Sequence, residues 1–367
     1  MQIRKALLKT SSHPTQRAPD WWESARFQAV FKQFAWLEAG SVKAASSRPT
    51  HQRVTQAVGR LDVITKSKEE ILTTSATFHK RQDLMIFIEH ELASEPAVQA
   101  VVGIGSIASG LARQDSDIDA IVFLDPFDWY ITPAEFQWCP ADNTFHSIFN
   151  QASAAEKWMQ FDFARLDLAQ WADSSFEWLE ERCAELHEGW LAFDRSGKVA
   201  ELIETRTTYT NAIRTAKLDE AITWLDQHLS HDGPRVRWDS LGPVIAYDRL
   251  QAAYEYLVQA LFAYNRCWRP WRNREMSSLL ALSWLPENFA DRVPGALGTS
   301  SLDYVGYMSR VDYLRGLFQD ITNRLVSDGE YGEDVISEAF IRSHDEPGRA
   351  WNMDEWNRKH AERHESV

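Results

Sequence analysis

The pattern of hydrophobic and polar positions changes near residue 197. Before this point helical periodicity alternates with short apolar runs, which predicts helices interleaved with strands. The predicted helices cover 80–93, 171–187 and a short segment reaching about 112, and the predicted strands cover 97–104, 117–124, 159–168 and 190–194. After residue 197 helical periodicity continues alone, over 198–230, 244–266, 274–283 and 301–326.

Glycine and proline mark the breaks between these elements. The helical half is interrupted at 233–234, 242–243, 286 and 294–298. Residues 125–143 are rich in proline and aromatics and are predicted to form a long loop. Loops of this length are often functional, so it either borders a binding site or is a packed surface loop.

These patterns predict an α+β fold: a small mixed sheet flanked by helices, followed by an all-helical C-terminal domain. We expect four segments: an N-terminal helical extension at 1–79, a sheet-containing domain at 80–205, a helical domain at 206–327 and a charged tail at 328–367. The first segment contains a helical pattern and a polar linker, and its sequence indicates no function.

The composition disfavours several classes of protein, among them disordered chains, binders of long nucleic acids and disulfide-rich domains. With 44% hydrophobic residues in 367, the chain has enough apolar surface to fold. The net charge of −14 disfavours long nucleic acids as partners. The three cysteines are far apart and indicate neither a disulfide framework nor a zinc finger, which fits a reducing compartment. We find no signal peptide pattern and no apolar run long enough for a membrane span, so we expect a cytoplasmic protein.

The segment Val101–Phe123 contains the main candidate chemistry, as strand, Gly-Ser, short helix and second strand. Gly105 allows a sharp turn out of the first strand. The backbone N–H groups after it and the Ser106 hydroxyl can bind phosphate. Asp117 and Asp119 are two residues apart on the second strand, so both carboxylates point to one face. Adjacent carboxylates of this kind repel unless a cation lies between them, and hard oxygen ligands suit Mg²⁺.

This arrangement resembles the nucleotidyltransferase superfamily of DNA polymerase beta. The signature of the family is a hydrophobic residue, Gly, Gly or Ser, a spacer, and then Asp-hydrophobic-Asp/Glu-hydrophobic. Ile104-Gly105-Ser106 and Asp117-Ile118-Asp119-Ala120 match it, with ten residues between. Gly110 and the run Ser116–Asp119 also match the tighter form found in small-molecule (aminoglycoside-type) and minimal nucleotidyltransferases. The resemblance covers residues 80–205 and extends to 206–326 only through helical character.

The family also requires a third carboxylate on a neighbouring strand. Asp162 and Asp167 both lie between apolar residues in the predicted strand 159–168. They are five residues apart, so on a regular strand they face opposite ways and one of them completes the site. We favour Asp162, because the third acid of the family lies in mid-strand.

The resemblance implies that Asp117 and Asp119 hold two Mg²⁺ ions and that Asp162 joins at the ion beside the acceptor hydroxyl. Gly105 and Ser106 would hold the β- and γ-phosphates. The implied reaction moves NMP, with AMP from ATP as the expected case, from an NTP to a hydroxyl of a small molecule. The acidic chain suits a cationic acceptor such as an antibiotic amine.

Each feature also has a purely structural interpretation. A Gly-Ser pair is a common turn, Asp-X-Asp is often a solvated strand end, and Asp162 could pair with Arg165. The segment 193–197 resembles a turn of small-molecule nucleotidyltransferases but is equally a type I turn. Aromatic and arginine residues at 247–272 are either helix core or a nucleotide-facing surface, and we favour core.

Two further functions stay open from the sequence. A protein hydroxyl could accept AMP, as with antitoxins of the minimal nucleotidyltransferase type, and residues 1–79 could then dock the partner. Alternatively, the chain could be a non-catalytic nucleotide-binding or interaction module, since a fold can lose its chemistry. The sequence specifies neither the nucleotide, nor the acceptor, nor the oligomeric state.

Overall fold

Strands and helices alternate in the first half of the described chain, and helices alone follow. The computed structural model describes residues 73–149, 158–299, 301–344 and 353–364, within one compact unit, Ser67–Val367. The strands are β1 (Val98–Gly103), β2 (Ile118–Leu124), β3 (Glu135–Cys139), β4 (Thr144–His146), β5 (Met159–Asp167) and β6 (Trp190–Asp194). The helices among them are α1 (Ser75–Phe87, continued by a π-helical turn Ile88–Leu92), α2 (Gly105–Ser109), α3 (Leu168–Ala172) and α4 (Glu180–His187).

The helices after the last strand form a bundle. They are α5 (Lys198–Thr207), α6 (Asn211–Leu229), α7 (Gly233–Leu241), α8 (Pro243–Tyr264), α9 (Arg272–Leu280), α10 (Phe289–Leu297), α11 (Tyr304–Ser327), α12 (Val335–Ser343) and α13 (Met353–His364). Their shared core is built from residues of α6, α8 and α11, with Tyr254, Leu257 and Leu314 fully buried. No helix within the described residues combines the length and hydrophobicity needed to cross a bilayer.

The six described strands form one mixed sheet in the order β4-β3-β5-β2-β1-β6. β2 and β5 are parallel neighbours, and the other pairs are antiparallel. The parallel register places Ile118 opposite Phe161 and Asp119 opposite Asp162. The predicted mixed sheet is therefore present, and its two central strands bring two predicted site residues side by side.

The two faces of the sheet differ in chemistry. One face packs on α1, where Phe87 lies 4.7 Å from Phe161 and 5.4 Å from Phe136 between ring centroids. On the other face Ile121 and Phe123 pack in a second cluster with Trp171. Asp119 and Asp162 lie on this second face, because side chains alternate along a strand.

The sheet-containing part and the bundle are joined through α4. Lys217 of α6 donates to Glu180 at 2.6 Å. The Glu180 carboxylate also accepts a hydrogen bond from the backbone N–H of Arg269 at 3.1 Å. The Trp268 indole donates to the Thr207 carbonyl at 2.7 Å. Lys217 and Arg269 therefore hold α6 and the segment before α9 against α4, and Trp268 ties that segment to the end of α5.

Several features differ from the sequence-based expectations, among them the predicted helix 171–187, which is interrupted between Ala172 and Glu180. The predicted loop 125–143 contains β3, which pairs with β5. The predicted break at 294–298 falls largely inside α10, which accommodates Pro294. Part of the segment expected to be a charged tail packs into the bundle, since Val335 is buried and Arg342 donates twice to Asp219 at 2.8 Å. The predictions for residues 1–72 lie outside the described residues.

Candidate active site

The turn after β1 brings the backbone close to a carboxylate. Gly105 has φ +64°, a conformation that favours glycine. A Cβ atom at this position would lie 2.6 Å from Oδ2 of Asp119 and 3.2 Å from Nη2 of Arg274. The backbone N–H of Ile104 donates to the Asp119 carbonyl at 3.0 Å. The two halves of the Gly-Ser and Asp-Ile-Asp motif are therefore held against each other, with Ser106 next in α2.

Three predicted carboxylates lie together at the end of the two central strands. Asp119 is the second residue of β2 and faces Asp162 directly across the parallel pair. Asp117 lies two residues earlier and is only partly buried. Burial, with the negative charges of Asp117 and Asp162, raises the pKa of Asp119 to about 6, and Arg274 opposes this effect. Within this group of carboxylates, Asp119 is therefore the one whose negative charge is disfavoured by burial and by its neighbours.

Asp167 lies at the other end of β5. It is the N-cap of α3, and its Oδ1 accepts hydrogen bonds from the backbone N–H groups of Ala169 and Gln170 at 3.0 and 3.5 Å. Arg165 is three residues after Asp162, on the opposite face of the strand, and donates to the carbonyls of Trp129 and Thr132. Asp167 therefore has a capping role, and Arg165 is occupied on the α1 side.

Arg274 is a site residue that the sequence analysis missed. It lies in α9, and its guanidinium faces the Gly105 turn. The neighbouring arginines, Arg269 and Arg272, are both paired with the carboxylates of Glu255 and Glu275. Within the described residues, the Arg274 side chain makes no hydrogen bond or ion pair, so its charge is available to an anion at the turn. No local sequence signal identifies it, because it comes from a helix more than 150 residues after the motif.

A cleft of about 310 Å³ opens beside this turn. Its wall combines the Gly105 turn, Ser109, Leu111 and Glu185 of the sheet-containing part with Trp271, Arg274 and Ser278 of the bundle. One side therefore offers backbone, the Ser109 hydroxyl and the carboxylates of Glu185 and Glu188, and the other offers the Arg274 guanidinium and the Trp271 indole ring. Ligand sites commonly combine aromatic and apolar walls with a few polar or charged groups that orient the ligand.

The other sequence candidates have structural roles here. Asp194 accepts hydrogen bonds from the N–H groups of Ser196, Gly197 and Ala200, so the 193–197 segment is a turn that caps α5. Tyr254, from the aromatic segment of α8, is fully buried in the bundle core. Both observations fit the structural interpretation that the sequence left open.

The donor set at the carboxylates fits Mg²⁺. Asp117, Asp119 and Asp162 supply only oxygen ligands, and burial followed by the charges of Asp117 and Asp162 raises the pKa of Asp119, which a bound cation would oppose. Among the described residues no three His, Cys, Asp or Glu side chains are arranged to hold one ion by themselves. Mg²⁺ sites that act on nucleotides commonly use one or two carboxylates and take their other ligands from phosphates and water.

The raised pKa of Asp119 predicts a pH-dependent gain in stability from Asp119→Asn. The folded state holds the proton up to about pH 6, whereas the unfolded chain releases it near 3.8. The contribution of Asp119 to the free energy of unfolding is therefore full below pH 3.8 and lost as the pH rises through 6. In EDTA at pH 7.5 we expect Asp119→Asn to melt about 2 °C or more above the wild type, with a smaller difference at pH 5.

Asp115→Asn is the matched control for this measurement. Asp115 is exposed and pairs with the exposed Arg113 at 3.1 Å, so the same loss of charge should leave the melting temperature unchanged. Equal shifts for the two variants, or a gain for Asp119→Asn that is larger at pH 5, would contradict the electrostatic description of the site.

Comparisons with known proteins give a distant structural similarity and no match in sequence. No protein-family model matches the chain, and no curated protein matches it. A crystal structure of a nucleotidyltransferase-like protein from Exiguobacterium sibiricum is similar over 71% of this chain and 80% of that chain, with 14% sequence identity and a TM-score of 0.35.

Proposed function

We propose that the protein is a nucleotidyltransferase that moves NMP from an NTP to a hydroxyl group, with AMP from ATP as the expected case. The observation that carries the proposal is the position of Asp119. It lies between the Gly105 turn and Asp162, with its pKa raised to about 6 and Arg274 facing the same turn. A turn that would bind phosphate, a group of carboxylates and Arg274, which has no ion pair within the described residues, together supply what transfer of a phosphoryl-type group requires.

The donor would bind with its triphosphate at the turn. Backbone N–H groups after Gly105 and the Ser106 hydroxyl would donate to the β- and γ-phosphates. Arg274 would move from its position near Asp119 to the same phosphates, where a guanidinium can bind two oxygens. The cleft lined by Leu111 and Trp271 has room for the nucleoside beside them.

The carboxylates would organise the reacting atoms. Asp117 and Asp119 would hold two Mg²⁺ ions, with Asp162 at the acceptor side, and the bound ions would stabilise negative charge on the phosphate oxygens. The acceptor oxygen forms a bond to the α-phosphorus as the bond to the β-phosphate oxygen breaks, and pyrophosphate leaves. Asp162 accepts the proton of the acceptor hydroxyl.

We propose a small molecule as the acceptor, in the cytoplasm, and a cationic one fits the excess of carboxylates at the site. A protein acceptor is the alternative that the test must separate. NTPs labelled at the α-phosphate are incubated with Mg²⁺ and with the small-molecule and protein fractions of a cell lysate in turn. A labelled small product supports the proposal, and a labelled protein band supports the alternative.

Asp119→Asn serves as the inactive control in this experiment. Label transfer that persists in Asp119→Asn would come from another enzyme in the fractions or from a different site, and would contradict the assignment. Nucleotide binding by the wild type without transfer in either fraction would favour a non-catalytic nucleotide-binding module.

A further inference from the structure

The cleft beside the Gly105 turn holds a carboxylate that the proposed transfer step does not use. Glu185 and Glu188 both line the cleft, and their spacing of three residues places them on one face of α4. β6 starts soon after α4, and its first residue, Trp190, pairs with Gly103 at the end of β1. The end of α4 therefore lies beside the chain that leads from β1 into the Gly105 turn.

Glu185 is held in place within this cleft. Its Oε2 accepts a hydrogen bond from Nη1 of Arg182, one turn earlier on α4, at 2.7 Å. The Arg182 guanidinium lies over the ring of Trp271, 5.9 Å from the ring centroid, and Trp271 lines the same cleft. The side chains of Arg182 and Glu185 are only 19% and 20% exposed. Because no hydrogen bond to Oε1 forms within the described residues, Oε1 is the atom that Glu185 presents to a ligand.

The charge of Glu185 acts on the proposed metal-binding carboxylates. Burial, followed by the charges of Asp117 and Asp162, raises the pKa of Asp119, and a smaller contribution in the same direction comes from Glu185. Glu185 is therefore near this group, although it lies on a helix and not on the two central strands. The ion pair with Arg182 offsets its negative charge, so an anionic nucleotide can lie beside it.

The chemistry of a nucleotide specifies which of its groups would meet Glu185. The ribose is joined to the α-phosphate through its 5′ oxygen, so it would lie next to the carboxylates that organise that phosphate. Its other polar groups at this end are hydroxyls, which donate hydrogen bonds, and a carboxylate only accepts them. Trp271 and Leu111 provide an aromatic and an apolar wall for the base. The Glu185 carboxylate is thus matched to a ribose hydroxyl.

Resting on the function proposed above, we infer that Glu185 is a specificity-determining residue, which accepts a hydrogen bond from a ribose hydroxyl and so selects ribonucleoside over deoxyribonucleoside triphosphates. Oε1 accepts this hydrogen bond while Arg182 holds Oε2. Glu185 takes no proton and forms no bond to phosphorus, so it acts on the choice of donor and not on the transfer step. Loss of a hydrogen bond to a charged group typically weakens binding by about ten- to a hundredfold.

The test is calorimetry on the full chain with Mg²⁺ and without acceptor, comparing ATP with 2′-deoxy-ATP and 3′-deoxy-ATP, or the same three forms of whichever NTP the wild type binds. We expect the wild type to bind the ribonucleotide tenfold or more tighter than at least one deoxy form. Glu185→Ala should reduce that preference to less than threefold. Removal of a negative charge from the cleft changes the affinity of all three nucleotides alike, so the ratio of affinities reports the hydroxyl contact.

Glu188→Ala is the matched control. Glu188 has the same charge and lines the same cleft from the same helix, but it is exposed and forms no ion pair within the described residues. We expect this variant to keep the wild-type preference. Alanine is the best helix former, so both variants should fold, and the melting temperature of each verifies this.

Equal affinities of the wild type for the ribonucleotide and both deoxy forms, or an unchanged preference in Glu185→Ala, would overturn the inference. Loss of the preference in Glu188→Ala would overturn the assignment to Glu185. An equal loss of affinity for all three nucleotides in Glu185→Ala would contradict it as well, because Glu185 would then act on the metal ions or the phosphates. Failure of the wild type to bind any NTP with Mg²⁺ would instead overturn the proposed function.

Discussion

Asp162→Asn is expected to lower the rate of nucleotidyl transfer by about 10²–10⁴-fold, the range typical of losing a general base. The affinity for Mg²⁺ and NTP should stay within about threefold, because Asp117, Asp119 and the Gly105 turn remain. The amide keeps the shape of the carboxylate but cannot accept the proton. Pyrophosphate release and nucleotide calorimetry, measured on the same preparation, check both parts of this expectation.

Asp167→Asn is the control from the same strand. Asp167 caps α3 through two backbone N–H groups, and asparagine is also a good N-cap, so stability should change by less than about 1 kcal/mol. Its transfer rate should equal that of the wild type. Loss of transfer in Asp167→Asn with retention in Asp162→Asn would reverse the assignment of the third carboxylate.

Gly105→Ala is expected to abolish productive nucleotide binding, with affinity reduced at least tenfold. The new Cβ would lie 2.6 Å from the Asp119 carboxylate, well inside contact distance, and would push it away from Asp117 and Asp162. The methyl group would also occupy the space where phosphate approaches the backbone. In addition, alanine at φ +64° is strained, which costs about 1 kcal/mol.

Gly197→Ala introduces the same kind of backbone strain as Gly105→Ala but lies away from the carboxylates. It therefore separates the effect of strain from the effect of blocking the phosphate site. Gly197 has φ +75°, but its Cβ would meet no atom within 4 Å. We expect both variants to lose melting temperature, with the larger loss for Gly105→Ala because of its clash with Asp119, and we expect a loss of nucleotide affinity only for Gly105→Ala. Equal nucleotide affinities for the two variants would show that the Gly105 turn does not contact the donor.

Local patterns in the sequence predicted the strands that carry the site. Apolar runs near β1, β2 and β5 are flanked by polar residues, and the Gly-Ser and Asp-Ile-Asp residues lie at their ends as expected. What the sequence could not supply was the pairing of strands. The register that places Asp119 opposite Asp162 depends on contacts between segments about 40 residues apart.

The residues that were missed lack a local signal. β3 lies in a segment whose proline and aromatic content resembles that of a loop, and pairing with β5 makes it a strand. Arg274 acquires its position only when the bundle packs against the sheet. Pro294 was interpreted as a helix break, yet it lies in the interior of α10, where only part of the backbone hydrogen bonding is lost. For β3, Arg274 and Pro294 alike, the observed structure depends on tertiary contacts and not on the local sequence.

The most direct test of the proposed function is calorimetric titration of each of the four NTPs, with and without Mg²⁺, into the wild type and the Asp117→Ala/Asp119→Ala double variant. We predict Mg²⁺-dependent binding of one NTP, most simply ATP, by the wild type and its loss in the double variant, which remains folded. Binding that does not depend on Mg²⁺, binding retained by the double variant, or no binding of any NTP would contradict the nucleotidyltransferase site at Asp117 and Asp119.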